Sequence, residues 1–514
     1  MFKNNFLNSI YLIFLGVISA FSLPPYNYFI INFITFTLFF IFIFNKKKKF
    51  LKNKHFFLYG WSFGFGYFLS GLYWISISLT FDQTFRFLIP FAIVLIPAFL
   101  ALFYGIITYL FSILYSKKVV VSFLIFSILF GTIELVRGFI FTGFPWNLIA
   151  FSFSENTNFI QILSIIGTYS FNLICISLFT SPAILILRKS KSEIFACFLF
   201  TFIAVILLIF GTVRNNQIDL VKKNNHDYII RAISPNISLD SFYSAENELK
   251  IINELISLSN PKDNQPTIFL WPEGIIPDSY LVDMKIYEDL FSKHFSKNHI
   301  IIMGIKDLDN KNNKNLYFNS LAVFDNELNL IKSYNKINLV PFGEFMPFEN
   351  FFKFIGIGTI TNNQQSFSRG LDREPLNINN NKFNISLLPL ICYEIIYSGR
   401  LSKNQNFDYI INISEDGWFG KSIGPKQHFA HSIFRSIESG KYIIRSANNG
   451  ISAIINPIGI VEKQVKFGDA GFIDFTESKV LKTTLFAQYG NIIFIILILL
   501  YIFLIFSFNR IENE

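Results

Sequence analysis

The sequence predicts a polytopic α-helical membrane domain of eight transmembrane helices joined to an α/β domain that faces water. Three observations carry this expectation. The 514 residues are 52% hydrophobic with a positive mean hydropathy, too apolar for a soluble chain of this length. Apolar runs long enough to cross a bilayer fill residues 1–213 and recur at 485–508. Between residues 226 and 476 they give way to short apolar segments separated by Asn, Asp, Gly and Lys, the punctuation of strands and turns.

A spanning helix takes about 20 apolar residues, and the first part of the chain holds seven such stretches. Residues 5–45 carry no charge and are divided by Pro24-Pro25 into two spans. Residues 55–81 and 87–116 supply one each, followed by 119–141, 159–187 and 194–213. The eighth span is 485–508. The first is kept as a helix rather than a cleaved signal peptide, because it has no persuasive small-residue cleavage site and the next span follows at once. Glu134 and Arg137, three apart in the fifth span, share a helix face. Charges at that depth need partners, and the two read as an interhelical structural pair.

Positive charge retained on the cytoplasmic side orients the spans. With the N-terminus inside, the loops after spans two, four and six are inside. These are the basic ones: residues 46–54, Lys117-Lys118 and Arg188-Lys189-Ser190-Lys191. Seven spans then place the α/β domain outside, and the eighth returns the C-terminus to the cytoplasm.

In the α/β domain, strands are expected at 228–233, 267–271, 300–304, 321–324, 385–391, 409–413, 442–445 and 452–456, with helices at 246–258 and 428–440. The Asn/Lys-rich run 307–315 reads as a surface loop. Strands mixed with helices over roughly 250 residues make an α/β domain. The net charge of +9 is spent in clusters between apolar runs, with no basic and aromatic strip that would point to nucleic acid. Three cysteines without a CxxC pair imply neither zinc nor structural disulfides. No cofactor is expected.

Cys392 ends the apolar run 383–391 and precedes Tyr393-Glu394, whereas Cys175 and Cys197 lie inside apolar segments. A thiol at the exposed end of a buried strand suits a nucleophile. Its free pKa of about 8.5 leaves little thiolate at neutral pH. Two further stretches supply what it lacks: Trp271-Pro272-Glu273-Gly274, and Lys336 followed by Val340-Pro341-Phe342-Gly343-Glu344. Glu273 suits a general base, and Lys336 suits stabilisation of thiolate and oxyanion alongside a backbone N–H after Cys392. Glu344 either holds Lys336 charged and oriented or assists proton transfer. A Cys-His arrangement is the competitor. His428 and His431 lie one helical turn apart with no metal-type cluster beside them, a setting in which histidines more often cap or pack.

The Glu-Lys-Cys order resembles the nitrilase superfamily, which implies an αββα sandwich for the outer domain. With the membrane part added, the chain resembles the apolipoprotein N-acyltransferase family over nearly its full length. The motifs are Trp271-Pro272-Glu273, Lys336 with Val340-Pro341-Phe342-Gly343-Glu344, Ile391-Cys392-Tyr393-Glu394, Asp416-Gly417-Trp418-Phe419-Gly420, Gly424-Pro425-Lys426-Gln427-His428, Arg445-Ser446-Ala447-Asn448-Asn449-Gly450 and, in the membrane part, Gly143-Phe144-Pro145-Trp146. Glu415 stands where the family often has Asn.

The resemblance implies acyl transfer in two steps, the last of bacterial lipoprotein maturation, in the inner membrane with the catalytic domain periplasmic. Cys392 takes an acyl chain from a phospholipid, typically phosphatidylethanolamine. The α-amine of a diacylglyceryl-cysteine on an apolipoprotein then takes it from the thioester. Phe345 and Met346 open an apolar run, with Phe348, Phe351, Phe352, Phe354, Ile355, Ile357 and Ile360, that either dips into the bilayer and covers acyl chains or packs on the protein. Tyr393, Glu394, Trp418 and Phe419 are expected on the substrate side, the last two lining an entrance or serving as core. The alternative is a membrane-tethered amidase of the nitrilase type acting on a small amide, since water resolves the same acyl-enzyme.

Overall fold

A computed structural model describes residues 2–49, 52–188, 191–243, 247–311, 314–347, 366–399, 401–402 and 404–511. The chain forms two compact units, one of residues Met1–Leu79, Arg86–Gln217 and Thr484–Glu514, the other of Thr80–Phe85 and Ile218–Thr483. The apolar run expected at 348–360 lies outside the described residues.

The first unit is helical. Six of its helical stretches are long and apolar enough to cross a membrane: Ile30–Lys48, Gln83–Leu114, Val119–Arg137, Leu163–Ile186, Lys191–Leu220 and Ile492–Arg510. Asn5–Ala20 is apolar but shorter. The remaining expected span folds as helix Asn53–Leu72, whose glycines lower its hydropathy and serve close packing. A Cβ on Gly66 would lie 2.0 Å from the Ile13 carbonyl oxygen, and one on Gly60 2.1 Å from that of Tyr104. Backbones this close admit only glycine, as at small-residue interfaces between membrane helices.

Glu134 and Arg137 pair with each other along one helix, not between helices. Arg137 also donates to the carbonyl oxygens of Phe144 and, at 3.0 Å, Trp146. The pair thus neutralises itself locally while the guanidinium fixes the Gly143-Phe144-Pro145-Trp146 turn.

The second unit contains two six-stranded sheets. One runs in the order β12-β1-β2-β3-β4-β5 and the other β11-β10-β9-β8-β7-β6. Their ranges are β1 Asn224–Ser234, β2 Thr267–Leu270, β3 His299–Lys311, β4 Lys314–Phe324, β5 Leu330–Asn335, β6 Leu376–Asn379, β7 Asn384–Ile391, β8 Tyr409–Glu415, β9 Ile443–Asn448, β10 Ala453–Ile455, β11 Val461–Gln464 and β12 Gly471–Ser478. At the centre of each sheet three strands run parallel, β1-β2-β3 and β7-β8-β9.

One core lies between the sheets, where Ile230, Ile268, Ile300 and Leu321 meet Leu387, Ile411 and Ile444. A second joins the outer face of the first sheet to helices Glu248–Ser259 and Glu288–His294 through Phe269, Trp271, Leu255 and Phe291. In the run expected as a loop at 307–315, residues 307–311 and 314–315 instead extend β3 and β4 in antiparallel register from Asp307↔Phe318 to Lys311↔Lys314, and 312–313 lie outside the described residues. Its polar side chains obscure a ladder held by backbone hydrogen bonds.

Candidate active site

The chemistry-bearing residues gather where the parallel strands end, the usual place for a ligand crevice in an α/β sheet. Glu273 follows β2 through Trp271-Pro272, and Trp271 extends the strand by donating its N–H to Ile302 at 2.8 Å. Gly274 then turns with φ 56°. Lys336 follows β5, and its N–H donates to Asn319 at 2.8 Å. Cys392 follows β7 and opens the single-turn helix Cys392–Ile396. Its φ of 46° lies in the left-handed region, which costs a non-glycine residue on the order of 1–3 kcal/mol and persists only where the surroundings enforce it.

Lys336 bridges the two carboxylates. Its Nζ donates to Glu273 Oε1 at 2.9 Å and to Glu344 Oε1 at 3.0 Å, and its side chain is 1% exposed. Burial opposes the ammonium charge, but the two carboxylates outweigh it and hold the Lys336 pKa well above its usual value. Burial raises the Glu344 pKa against the pull of Lys336. Glu344 Oε2 accepts the Val340 N–H at 2.7 Å, and Glu273 Oε2 accepts the Glu415 N–H at 3.0 Å. Each carboxylate is therefore pinned by the backbone at one oxygen and shares Lys336 at the other.

Burial pushes the Cys392 thiol well above its ordinary pKa. The Glu273 carboxylate adds to that shift, while Lys336 opposes it. Raised in this way, the Cys392 thiol gives up its proton less readily than a free cysteine.

Asn319 on β4 escaped the sequence reading. Its Nδ2 donates to Glu273 Oε1 at 2.8 Å and to Glu344 Oε1 at 2.6 Å. One amide group thus supplies a hydrogen to each carboxylate beside the ammonium. In an Asn-rich chain a single Asn inside a strand gives no local signal.

Glu394, expected on the substrate side, is fully buried. Its Oε1 accepts from Arg373, from Tyr334 Oη at 2.7 Å and from the Ile337 N–H at 2.9 Å, while Oε2 accepts the Ile391 N–H at 2.9 Å. It ties the chain just after Lys336 to the chain just before Cys392. Tyr393 is buried with its ring centroid 5.6 Å from that of Tyr397. Met346 is buried and Phe345 half-buried. Trp418 and Phe419 are half-buried, the first edge-on to Phe81 at 5.7 Å and the second edge-on to His428 at 5.5 Å.

The structure also brings together Cys392, Asp416 and His428, distant in sequence, with one ligand-capable atom of each within 4.8 Å of the others. Arg445 already supplies a cation there, donating to Asp416 Oδ2 at 2.8 Å and Oδ1 at 3.0 Å. Burial works against the Asp416 charge, but Arg445 and His428 prevail and hold its pKa well below the carboxylate range. This donor set is that of a closed ion-pair network more than of a metal site.

Two family models match the chain: the apolipoprotein N-acyltransferase N-terminal domain over residues 15–181 and carbon-nitrogen hydrolase over residues 253–473. Among curated relatives, the apolipoprotein N-acyltransferase of Rhizobium rhizogenes is 32% identical over 490 residues, covering 92% of this chain and 90% of that protein. The chain belongs to the apolipoprotein N-acyltransferase family. The apolipoprotein N-acyltransferase of Rickettsia prowazekii is 34% identical, covering 87% of this chain and 90% of its own. That of Rhodopseudomonas palustris is 29% identical, covering 96% and 94%. In this family member the membrane unit and the two-sheet unit correspond to the two matched models.

Proposed function

We propose that the chain is an acyltransferase that N-acylates lipoproteins, with Cys392 as acyl carrier, Glu273 as base and Lys336 as electrostatic stabiliser. The observation that carries this reading is a fully buried lysine bridging two carboxylates, in electrostatic contact with a buried cysteine, in a member of the apolipoprotein N-acyltransferase family.

Glu273 takes the thiol proton as Sγ attacks a phospholipid ester carbonyl. Lys336 and a backbone N–H after Cys392 stabilise the oxyanion. Collapse breaks the ester C–O bond, Glu273 returns the proton to the departing alkoxide, and a thioester and lysophospholipid result. The α-amine of a diacylglyceryl-cysteine then attacks the thioester. Its proton passes to Glu273 and on to the departing thiolate, leaving an amide and free Cys392. Glu344 keeps Lys336 charged and in place. Phosphatidylethanolamine is the proposed donor. Half-buried Phe345, Trp418 and Phe419 offer apolar surface of the kind acyl chains need.

We further propose eight spans in a bacterial inner membrane, with both termini cytoplasmic and the catalytic unit periplasmic. Helix Asn53–Leu72 and the shorter Asn5–Ala20 supply the two spans beyond the six most apolar, and the three basic loops supply the orientation. Mass spectrometry after incubation with phosphatidylethanolamine vesicles tests the chemistry. The expected result is one added acyl mass on Cys392, removed by hydroxylamine. An unmodified wild type, or the same adduct on Cys392→Ala, overturns it. Loss of the acyl group to water without transfer to a lipopeptide amine would instead support an amidase.

A further inference from the structure

Helix Gly424–Ser439 is buried along nearly its whole length, and one polar stripe on it faces the nucleophile turn. His428 Nε2 lies 3.3 Å from the Cys392 carbonyl oxygen. About two and three turns on, Arg435 Nη1 donates to the Ile396 carbonyl at 3.1 Å and Glu438 Oε1 accepts the Ser398 hydroxyl at 2.6 Å. The spacing of 428, 435 and 438 keeps these groups on one helix face. A buried helix face that would ordinarily be apolar is instead matched to the polar groups of residues 392–398.

The first of these contacts falls on the nucleophile itself. We propose that His428 is a positioning residue: its Nε2–H holds the Cys392 carbonyl and so keeps the cysteine in the left-handed backbone conformation that presents its thiol to Glu273 and Lys336. A carbonyl oxygen only accepts, so this contact requires the proton on Nε2. The two partners of Nδ1 divide between the protonation states: Asp416 Oδ1, at 2.9 Å, accepts from an Nδ1–H, which beside an Nε2–H exists only in the charged ring, whereas Arg445 Nη2, at 3.2 Å, donates to Nδ1 in the neutral ring, the form that burial favours by lowering the His428 pKa. Arg445 and Asp416 are themselves fixed to each other, Ser414 donates to Asp416 Oδ1 at 2.7 Å, and Phe419 packs edge-on against the ring. Arg445 and Asp416 thus hold the imidazole at Nδ1 and Phe419 holds its ring, with Nε2 toward Cys392. In this role His428 acts through the cysteine backbone and carries no proton in the reaction.

The inference rests on Cys392 being the nucleophile, yet its test reads the thiol directly and so stands apart from acyl transfer. His428→Gln retains an N–H donor near the Nε2 position, whereas His428→Asn reaches only as far as Nδ1, and neither amide can serve as a base. The rate of Cys392 alkylation by iodoacetamide is measured in detergent-purified full-length protein. Acyl-enzyme formation is followed against phospholipid concentration, and thermal unfolding confirms the fold of each variant. His428→Gln is expected to keep both rates within about threefold of wild type. His428→Asn, equally folded, is expected to lose about tenfold or more in both, with the loss in the maximal acylation rate and the phospholipid dependence unchanged. Equal loss in the two folded variants overturns the proposal, because the ring itself is then needed. Wild-type alkylation in His428→Asn overturns it also. If alkylation follows the expected pattern while no acyl adduct forms on wild type, the functional reading fails and the positioning role stands.

Discussion

Gly304 lies so close beneath Glu273 that a Cβ on the glycine would sit 2.4 Å from the Glu273 Cα and 2.8 Å from the Pro272 carbonyl oxygen. The Gly304 N–H also donates to that carbonyl at 3.1 Å. Strand β3 thus supports Glu273, the proposed base, through backbone alone. Gly304→Ala must displace the Glu273 backbone from its present position. A displacement of the order of 1 Å in a catalytic group costs about 100-fold. We expect acyl-enzyme formation to fall by about 10–100-fold in a protein that still folds, and wild-type rates would show that the loop tolerates the shift.

Arg373 and Glu394 form an ion pair whose side chains are 5% and 0% exposed. Glu394→Gln leaves the guanidinium charge buried without its carboxylate, a loss of about 3–5 kcal/mol. The signature is a lower thermal unfolding midpoint. Burial opposes the Glu394 charge, but Arg373 and the surrounding donors prevail and depress its folded pKa. Its contribution is therefore complete above the unfolded value of about 4.3 and is lost as pH falls through the folded value. The stability gap between wild type and Glu394→Gln should narrow below about pH 4.3. A gap that is unchanged there, or absent at pH 7, contradicts the pairing.

The parts of this fold that the sequence reveals are the buried ones. Strands β1, β2, β3, β4, β7, β8, β9 and β10 carry apolar runs because each has neighbours on both sides. The four strands without such runs, β5, β6, β11 and β12, are the four sheet edges. Edge strands tolerate polar side chains and are protected by them, so Leu376–Asn379 and Val461–Gln464 read locally as loop. The site divides in the same way. Glu273, Lys336 and Cys392 are legible because each stands where an apolar segment ends. Asn319 and Arg373 are not, since their partners lie 25 or 46 and 21 positions away and nothing adjacent marks them. His428 was visible as a histidine on a helix, but its facing toward Cys392 depends on how that helix meets the ends of β8 and β9.

Lys336 offers the sharpest test of the charge arrangement. In Lys336→Met, Glu273 and Glu344 would share only the Asn319 amide, and two like charges at that separation drive one carboxyl to hold a proton. The proposed oxyanion stabiliser is then gone, and the proposed base has lost its ammonium partner. We expect acyl-enzyme formation to fall by about 100–1,000-fold. Glu344→Gln keeps the ammonium and the Glu273 contact, so its loss should be smaller, about tenfold. If Glu344→Gln instead matches Lys336→Met, Glu344 takes part in proton transfer rather than orientation alone.

Glu415 carries a pH dependence of opposite sign. Its carboxyl is fully buried, and burial pushes its pKa up to about 8 against the donors Asn448, Gly417 and Asn449. The Asn448 amide reaches Oε2 at 2.6 Å and the Gly417 N–H reaches Oε1 at 2.8 Å. A folded pKa above the unfolded value means that the native state binds more protons between the two. Stability is then greatest below about pH 4.3 and declines as pH rises through about 8. Glu415→Gln removes that titration while keeping a neutral side chain of the same length. Thermal unfolding from pH 5 to 9 should show the wild type losing stability relative to Glu415→Gln across the interval, with the difference levelling above the folded pKa. Because the Glu415 N–H holds Glu273 Oε2 at 3.0 Å, ionisation at this position should also slow acylation in wild type but not in the variant. Parallel stability curves for the two proteins would mean that Glu415 is already ionised in the fold.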